Sequence, residues 1–345
     1  MRKEFLFFRW LSLALICVYL LYPTRRNTLI SGKAAGKDYT ESRAECVMEQ
    51  TSRRILYERN GDTRLPMAST TKIVTALTVL ECCDDLSAKM EIPIEATGIE
   101  GSSVYLKCGD LYSVEELLYG LMLRSGNDCA TALALYCEGN LAEFAAKMNK
   151  TAQKAGAISS NFKNPHGLPH DGHYTTARDL TLISCLAMEN STFRKIVSTK
   201  YYEPRHWKNK NKMLTEYEGG IGIKTGYTKQ AGRCLVSAAE KEGMTLICTV
   251  LNSPQMFERS AQLLDDAFEA YQMRKILAKD EAFTLINGKK HEQGYVKEDF
   301  YYPLMEGEED QIEIYTKYHK DKEIIGQIEI SLAKRLIFSG NLYKL

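Results

Sequence analysis

The sequence has no Cys-x-x-Cys pair among its 10 cysteines, no internal repeat, no low-complexity tract and no excess of charge of either sign. Each absence excludes something. Without a Cys-x-x-Cys pair there is no structural zinc signature. The cysteines, at positions 17, 46, 82, 83, 108, 129, 137, 185, 234 and 248, follow no regular spacing that would mark a disulfide scaffold. Most sit inside apolar runs and read as small core residues, with one or two bridges left open. A formal net charge of +1 provides no global field to draw the chain onto nucleic acid. The densest basic stretch, Lys208, Lys210 and Lys212 beside Trp207, is short and reads as a solvated loop. With 8 prolines and 23 glycines in 345 residues, long disorder is not indicated either.

What remains is a folded chain, 44% hydrophobic and 26% charged, long enough for one domain of ordinary enzyme size and a smaller one. Its first residues differ from the rest. Arg2 and Lys3 precede an apolar stretch over 5–22 that is interrupted by Arg9, and the uninterrupted part, 11–22, is short for a bilayer span. This is the charge-then-apolar order of an export signal. No small-x-small cleavage site lies near Tyr22; the nearest, Gly32-x-Ala34, follows Arg25 and Arg26 at a distance. A cleaved leader and an uncleaved anchor therefore both stay open for residues 1–37, and the expected location is the outer face of the cytoplasmic membrane or the cell wall.

Period and punctuation place the elements. Cys46 and Met48, a polar turn over 50–53, then Ile55 and Tyr57 in alternation predict a hairpin over 44–58. After Pro66, Ser69-Thr70-Thr71-Lys72 opens a stretch in which Ile73, Val74, Ala76, Leu77, Val79 and Leu80 have the spacing of a buried helix. Ser113-Val114-Glu115-Glu116 is a capping box; its helix ends near Arg124, where Ser125-Gly126-Asn127 makes a tight connection to the next. From 140 to about 188 the pattern is helical apart from a Pro-, Gly- and His-containing loop over 164–173. Beyond Gly219 the period falls to two, predicting strands at 221–223, 234–238 and 244–251, with the last two antiparallel across a short turn. A helix is predicted over 257–277, and alternation within 311–315 and 324–332 makes the segment after it a small all-β unit. The expected fold class is α+β, with one domain over 38–277 and a second over 278–345.

A serine hydroxyl becomes a nucleophile when a base takes its proton, and a lysine serves once burial and neighbouring positive charge lower its pKa. Ser69 and Lys72, three apart at a helix start, lie on one face beside free N–H groups that can stabilise an oxyanion. Alone, the pattern is cheap: Ser160 with Lys163 and Ser331 with Lys334 repeat Ser-x-x-Lys, and Ser159 with Asn161 and Ser339 with Asn341 repeat Ser-x-Asn. Order discriminates. Ser69-x-x-Lys72, Ser125-Gly126-Asn127 and the single Lys224-Thr225-Gly226 follow the sequence shared by β-lactamases and penicillin-binding proteins. In the third motif the glycine permits close backbone approach and the threonine offers a hydroxyl to a carboxylate.

Further likeness lies in Pro66-Met67-Ala68 before Ser69, in Phe162-Lys163-Asn164-Pro165-His166-Gly167-Leu168, in His173-Tyr174-Thr175-Thr176-Ala177-Arg178-Asp179, and in Gly222-Ile223 before the third motif with Tyr227-Thr228 and Ala231-Gly232-Arg233 after it. Over about residues 44–270 the chain resembles the D-alanyl-D-alanine carboxypeptidases of the low-molecular-mass penicillin-binding proteins, serine peptidase family S11. The resemblance implies a penicillin-binding/β-lactamase-like transpeptidase domain, an antiparallel sheet flanked by a helical subdomain, followed by a small all-β domain. It implies no cofactor and no metal, a peptidoglycan stem peptide ending in D-Ala-D-Ala as substrate, and β-lactam antibiotics as covalent inhibitors. Nucleic acid is not an expected partner, and the membrane is one only through the N-terminal segment.

Carried over by position, the resemblance makes Ser69 the nucleophile, Lys72 its base, Ser125 and Lys224 the proton path to the departing amine, and Asn127 the group that holds the substrate amide and orients Lys72. Thr225 would bind the terminal carboxylate next to Gly226, with the N–H groups of Ser69 and Tyr227 as oxyanion hole. Arg259 stands where the family often has an arginine pairing with that carboxylate; the other reading is a helix-surface arginine. His166, His170 and His173 read as loop structure rather than metal ligands. A class A β-lactamase needs a glutamate after a Ser-Asp-Asn motif, whereas the middle residue here is Gly126 and no such segment follows. That favours slow release of penicillin, with D,D-endopeptidase action, a β-lactamase on the same scaffold and a non-catalytic penicillin-binding sensor or scaffold as the alternatives.

Overall fold

The computed structural model describes residues 42–287 and 290–345. The N-terminal signal or anchor reading lies outside these residues, and among them no helix is long and apolar enough to cross a membrane. Strands β1 (Ala44–Glu49) and β2 (Ile55–Arg59) pair as the expected hairpin. A 3-10 turn over Ala68–Thr71 then leads into α1 (Lys72–Cys82), almost wholly buried. Short strands β3 (Lys89–Glu91) and β4 (Leu111–Ser113) precede α2 (Val114–Tyr119), whose start carries the full capping box: Ser113 Oγ accepts from Glu116 N–H, and Glu116 accepts from Ser113 N–H. A π-helical stretch over Gly120–Arg124 carries the chain to α3 (Asn127–Glu138). Next come α4 (Leu141–Lys154), α5 (Ala177–Glu189) and α6 (Ser191–Ser198). Asn140, Thr176 and Asn190 cap these three helices with side-chain acceptors. A two-residue pair, β5 (Tyr201–Tyr202) with β6 (Trp207–Lys208), and the short α7 (Met213–Glu216) close the helical part.

Strands β7 (Gly220–Thr228), β8 (Gly232–Lys241) and β9 (Met244–Leu251) complete an antiparallel sheet in the order β2-β1-β9-β8-β7. Both of its faces are covered, so its central strands are apolar almost throughout. On one face Cys46, Met48, Val236, Ala238 and Ile247 pack with Ile73, Leu180 and Ile183 of the helices. On the other, Val47, Leu235, Leu246 and Val250 pack with Leu263, Leu264 and Ala267 of α8 (Met256–Ala270). The site residues of β7 therefore sit on an edge strand held by a three-layer core.

The helix expected over 257–277 stops at Ala270, and Tyr271–Leu277 is instead a strand, β10. Leu264, Ala267 and Tyr271 fit helical spacing, which carries the helix reading too far, but the residues after Ala270 alternate and pair with β13 (Phe300–Met305). The rest is all-β, as expected: β11 (Ala282–Asn287), β12 (Lys290–Tyr295), β14 (Ile312–Asp321), β15 (Ile324–Leu332) and β16 (Arg335–Lys344) form a sheet ordered β11-β12-β16-β15-β14. Leu277, Leu285, Val296, Ile325, Ile328, Ile330 and Leu342 make its separate core. The fold is thus α+β with a C-terminal all-β domain. The nine described cysteines are unbonded, and Cys46, Cys129, Cys185, Cys234 and Cys248 are buried as core residues.

Candidate active site

The start of α1 abuts the edge strand β7. A side chain at Gly226 would place a Cβ 3.0 Å from Ser69 N and 3.1 Å from Thr70 N, so glycine is what lets the strand approach the Ser69 backbone. Ala68, just before Ser69, is held at φ 50, a strained conformation for a residue with a side chain. The loop that follows α4 supports it from behind: Gly167, at φ +86, lies so close to Ala68 O that a Cβ there would be 1.9 Å away.

Lys72 is fully buried, and its Nζ has three oxygens around it: Ser69 Oγ at 3.0 Å, Asn127 Oδ1 at 2.7 Å and His166 O at 2.7 Å. A neutral amine has two N–H bonds and one lone pair. Donating to Asn127 and His166 leaves the lone pair for the Ser69 hydroxyl, the arrangement a general base needs. Burial, and after it the positive charge of Lys224, pushes the Lys72 pKa well below its ordinary value. Lys224 is itself buried; its Nζ donates to Thr225 O at 3.0 Å, and burial followed by the charge of Lys210 brings its pKa down to about 7.

Asn127 starts α3 and is fixed on both sides. Its Nδ2 donates to Glu100 O at 2.5 Å, so Oδ1 is the atom that faces Lys72, and its backbone N–H donates to Ser102 O at 2.7 Å. Ser125, buried, adopts the left-handed conformation at φ 66 where the π-helical stretch ends. Such strain in a serine occurs where surrounding structure enforces it. On β7, Thr225 is partly exposed and Tyr227 is 65% exposed. The structure thus brings Ser69, Lys72 and Asn127 into direct contact, with Gly226 against the Ser69 backbone and Lys224 close enough for its charge to act on Lys72.

Arg259 is elsewhere. Its guanidinium is buried and makes a bidentate pair with Glu45, 2.7 and 2.8 Å, and a further bond to Gln262 at 2.8 Å. It lies over β1, three strands from β7 in the sheet, about 14 Å at ordinary strand spacing. Neither a carboxylate-binding role nor a helix-surface position fits; burial alone would raise the Glu45 pKa, but bonds from Arg259 and Arg59 bring it to about 2. The serines of the two rival Ser-x-x-Lys matches have other partners, since Ser160 Oγ bonds Asp179 and Thr175, and Ser331 Oγ bonds Glu313.

Three contributors were not placed at the site by the sequence, which passed over Asp128 and read His166 and His173 only as loop structure. Asp128 accepts from Ser103 Oγ and from the N–H groups of Val104 and Leu106, stapling the 100–106 loop whose carbonyls hold Asn127. His173, buried, accepts from Lys163 N–H at Nδ1 and meets Thr71 Oγ1 at 2.9 Å through Nε2, tying the 164–173 loop to the start of α1. His166 contributes its carbonyl to Lys72 while its Nδ1 accepts from Leu168 N–H. Burial lowers the imidazole pKa values to about 3 for His166 and about 4 for His173, so both rings are neutral structural parts of the loop. Only Asp128, directly after the second motif, carried a signal in its position. Among the described residues no cluster of His, Cys, Asp or Glu is arranged to hold a metal.

Comparison with known proteins gives the family. Residues 31–255 match the model of the peptidase S11 family, described as D-alanyl-D-alanine carboxypeptidase. The chain is 31% identical over 304 residues to the D-alanyl-D-alanine carboxypeptidase DacF of Bacillus subtilis, covering 84% of this chain and 78% of the relative. In structure it is similar to penicillin binding protein 5 from Haemophilus influenzae, with a TM-score of 0.75, 26% identity and coverage of 90% and 98%. It is also similar to the Streptomyces K15 DD-transpeptidase, with a TM-score of 0.62, 35% identity and coverage of 68% and 99%.

Proposed function

Because the chain belongs to the D-alanyl-D-alanine carboxypeptidase family, we propose that it removes the terminal D-alanine from peptidoglycan stem peptides through an acyl-enzyme on Ser69. The observation that carries this reading is the environment of Lys72 Nζ, whose two other contacts are acceptors and whose third is the Ser69 hydroxyl. Lys72 takes the hydroxyl proton as Ser69 Oγ attacks the carbonyl between the two D-alanines. The N–H groups of Ser69 and Tyr227 receive the oxyanion, a reading supported by the close approach of Gly226 to Ser69 N. As the C–N bond breaks, the proton held by Lys72 passes by way of Ser125 and Lys224 to the departing amine, so that D-alanine leaves and Lys72 is again neutral. Water then attacks the ester with Lys72 as base and restores the serine. Asn127 holds the substrate amide and Thr225 its terminal carboxylate, the peptide lying along the open edge of β7 as an added strand. No cofactor enters the scheme. The enzyme works outside the cytoplasm, where this substrate is found, with the N-terminal segment as leader or anchor.

Incubating the purified protein with a peptide ending in D-Ala-D-Ala should release D-alanine, and Ser69→Ala should release none. Benzylpenicillin should leave a long-lived adduct on Ser69, measured by mass spectrometry of the intact protein. Rapid turnover of penicillin with no adduct would assign the scaffold to β-lactam hydrolysis instead.

A further inference from the structure

The basic stretch that reads from sequence as a solvated loop is built into a groove. Arg124, Lys200, Lys208, Lys210 and Lys212 line one cleft of about 370 Å³. Against these five cations the lining has a single carboxylate, Glu216, which faces Lys212 at 3.9 Å. Among the described residues, Arg124, Lys200, Lys208 and Lys210 are in no ion pair. Cations gathered this way repel one another, and their field concentrates where an anion would sit. The groove opens beside the catalytic residues: Lys210 N–H donates to Leu123 O at 3.3 Å, two residues before Ser125, and Arg124 donates to Lys208 O at 3.4 Å. The charge of Lys210 also reaches Lys224.

A second, independent observation points the same way. Asn211 lines the groove while only 4% exposed. Its Oδ1 accepts from Met213 N–H at 3.1 Å, which fixes the amide's orientation, and its Nδ2 has no partner among the described residues. A buried donor left unpaired is costly, and a small movement of the amide toward the groove would let an arriving oxygen satisfy it.

We propose that this groove is an oxyanion subsite beside the active site, taking a carboxylate or phosphate group of the peptidoglycan substrate other than the terminal carboxylate, with Asn211 and the surrounding lysines as its ligands. The proposal rests on the reading of the protein as a D-Ala-D-Ala peptidase and adds to it what the enzyme recognises beyond the scissile bond.

Two peptides ending in D-Ala-D-Ala and differing in one side-chain carboxylate, free or amidated, distinguish the cases when D-alanine release is followed with and without inorganic phosphate. At low salt kcat/KM should favour the free carboxylate about 10-fold, the scale of a desolvated charge-assisted contact, and the ratio should shrink as ionic strength rises. In Lys200→Gln/Lys208→Gln it should fall to near 1, and in Lys200→Arg/Lys208→Arg it should be retained. A ratio near 1 in the unaltered enzyme, combined with phosphate inhibition that the glutamine variant loses, would support the subsite with phosphate as its anion. Neither effect, or a ratio indifferent to the glutamine variant, overturns the proposal. Absence of D-alanine from both peptides would instead overturn the carboxypeptidase reading.

Discussion

Lys72 and Lys224 are two buried amines in one small volume, and the same physics acts on both: burial disfavours the charged form most, and a neighbouring cation disfavours it further. For Lys72 the shift is well below the ordinary lysine value, the direction a base requires. Lys224, at about 7, changes protonation in the working range. If its proton is the one delivered to the leaving amine, kcat/KM for D-alanine release falls as pH rises through about 7, because the protonated donor is being lost. Lys210→Gln removes a positive charge that opposes protonation of Lys224, so that limb should move to higher pH. A pH profile of D-alanine release for the two proteins checks this, and superimposable profiles would count against Lys224 as donor. At this scale the three motifs were legible because their order is improbable, whereas the third oxygen on Lys72 was not. His166 offers a backbone carbonyl, which every residue type possesses. Arg259 was misassigned for a related reason: its partner, Glu45, is 214 residues away in sequence, and only folding reveals the pair.

Elements with one period and clear caps were read correctly from the chain. The first hairpin, the Ser113 capping box and the three strands after Gly219 all declare themselves in local pattern. Strand β10 did not, because its first residue continues the apolar stripe of α8 and only its pairing with β13 decides the matter. The 100–106 segment has no period at all; one carboxylate holds it. Asp128→Ala leaves the Val104 and Leu106 N–H groups without their acceptor, at a cost of about 1–3 kcal/mol each if they stay buried. The loop should open instead, withdrawing Ser102 O and Glu100 O from Asn127 and so releasing Lys72 from its orienting partner. Acylation by a fluorescent penicillin is expected to slow about 10–100-fold, with hydrogen-exchange protection lost at Val104 and Leu106. Lost protection without slower acylation would show that the staple is structural only.

Across the whole molecule, the all-β part was visible as alternation, but what binds it to the rest was not, since the tie combines the β10–β13 pairing with one arginine in a turn. We propose that 38–277 and 278–345 behave as two domains, with β10 leaving the first to pair with β13 in the second. Arg54, between β1 and β2, donates to Pro303 O at 2.5 Å and to Glu308 at 2.6 Å, and its guanidinium sits 5.1 and 5.4 Å from the rings of Tyr271 and Tyr302. Charge-assisted bonds in a mostly buried setting and two cation–π contacts together make Arg54→Ala a loss of about 3 kcal/mol from the junction. For a unit of this size each kcal/mol moves the melting temperature by about 4–8 °C. The C-terminal domain should therefore melt roughly 12–24 °C earlier in the variant, appearing as a separate calorimetric transition. D-alanine release should stay unchanged, because Arg54 touches none of the residues around Ser69. A single unshifted transition would show that Arg54 does not hold the junction.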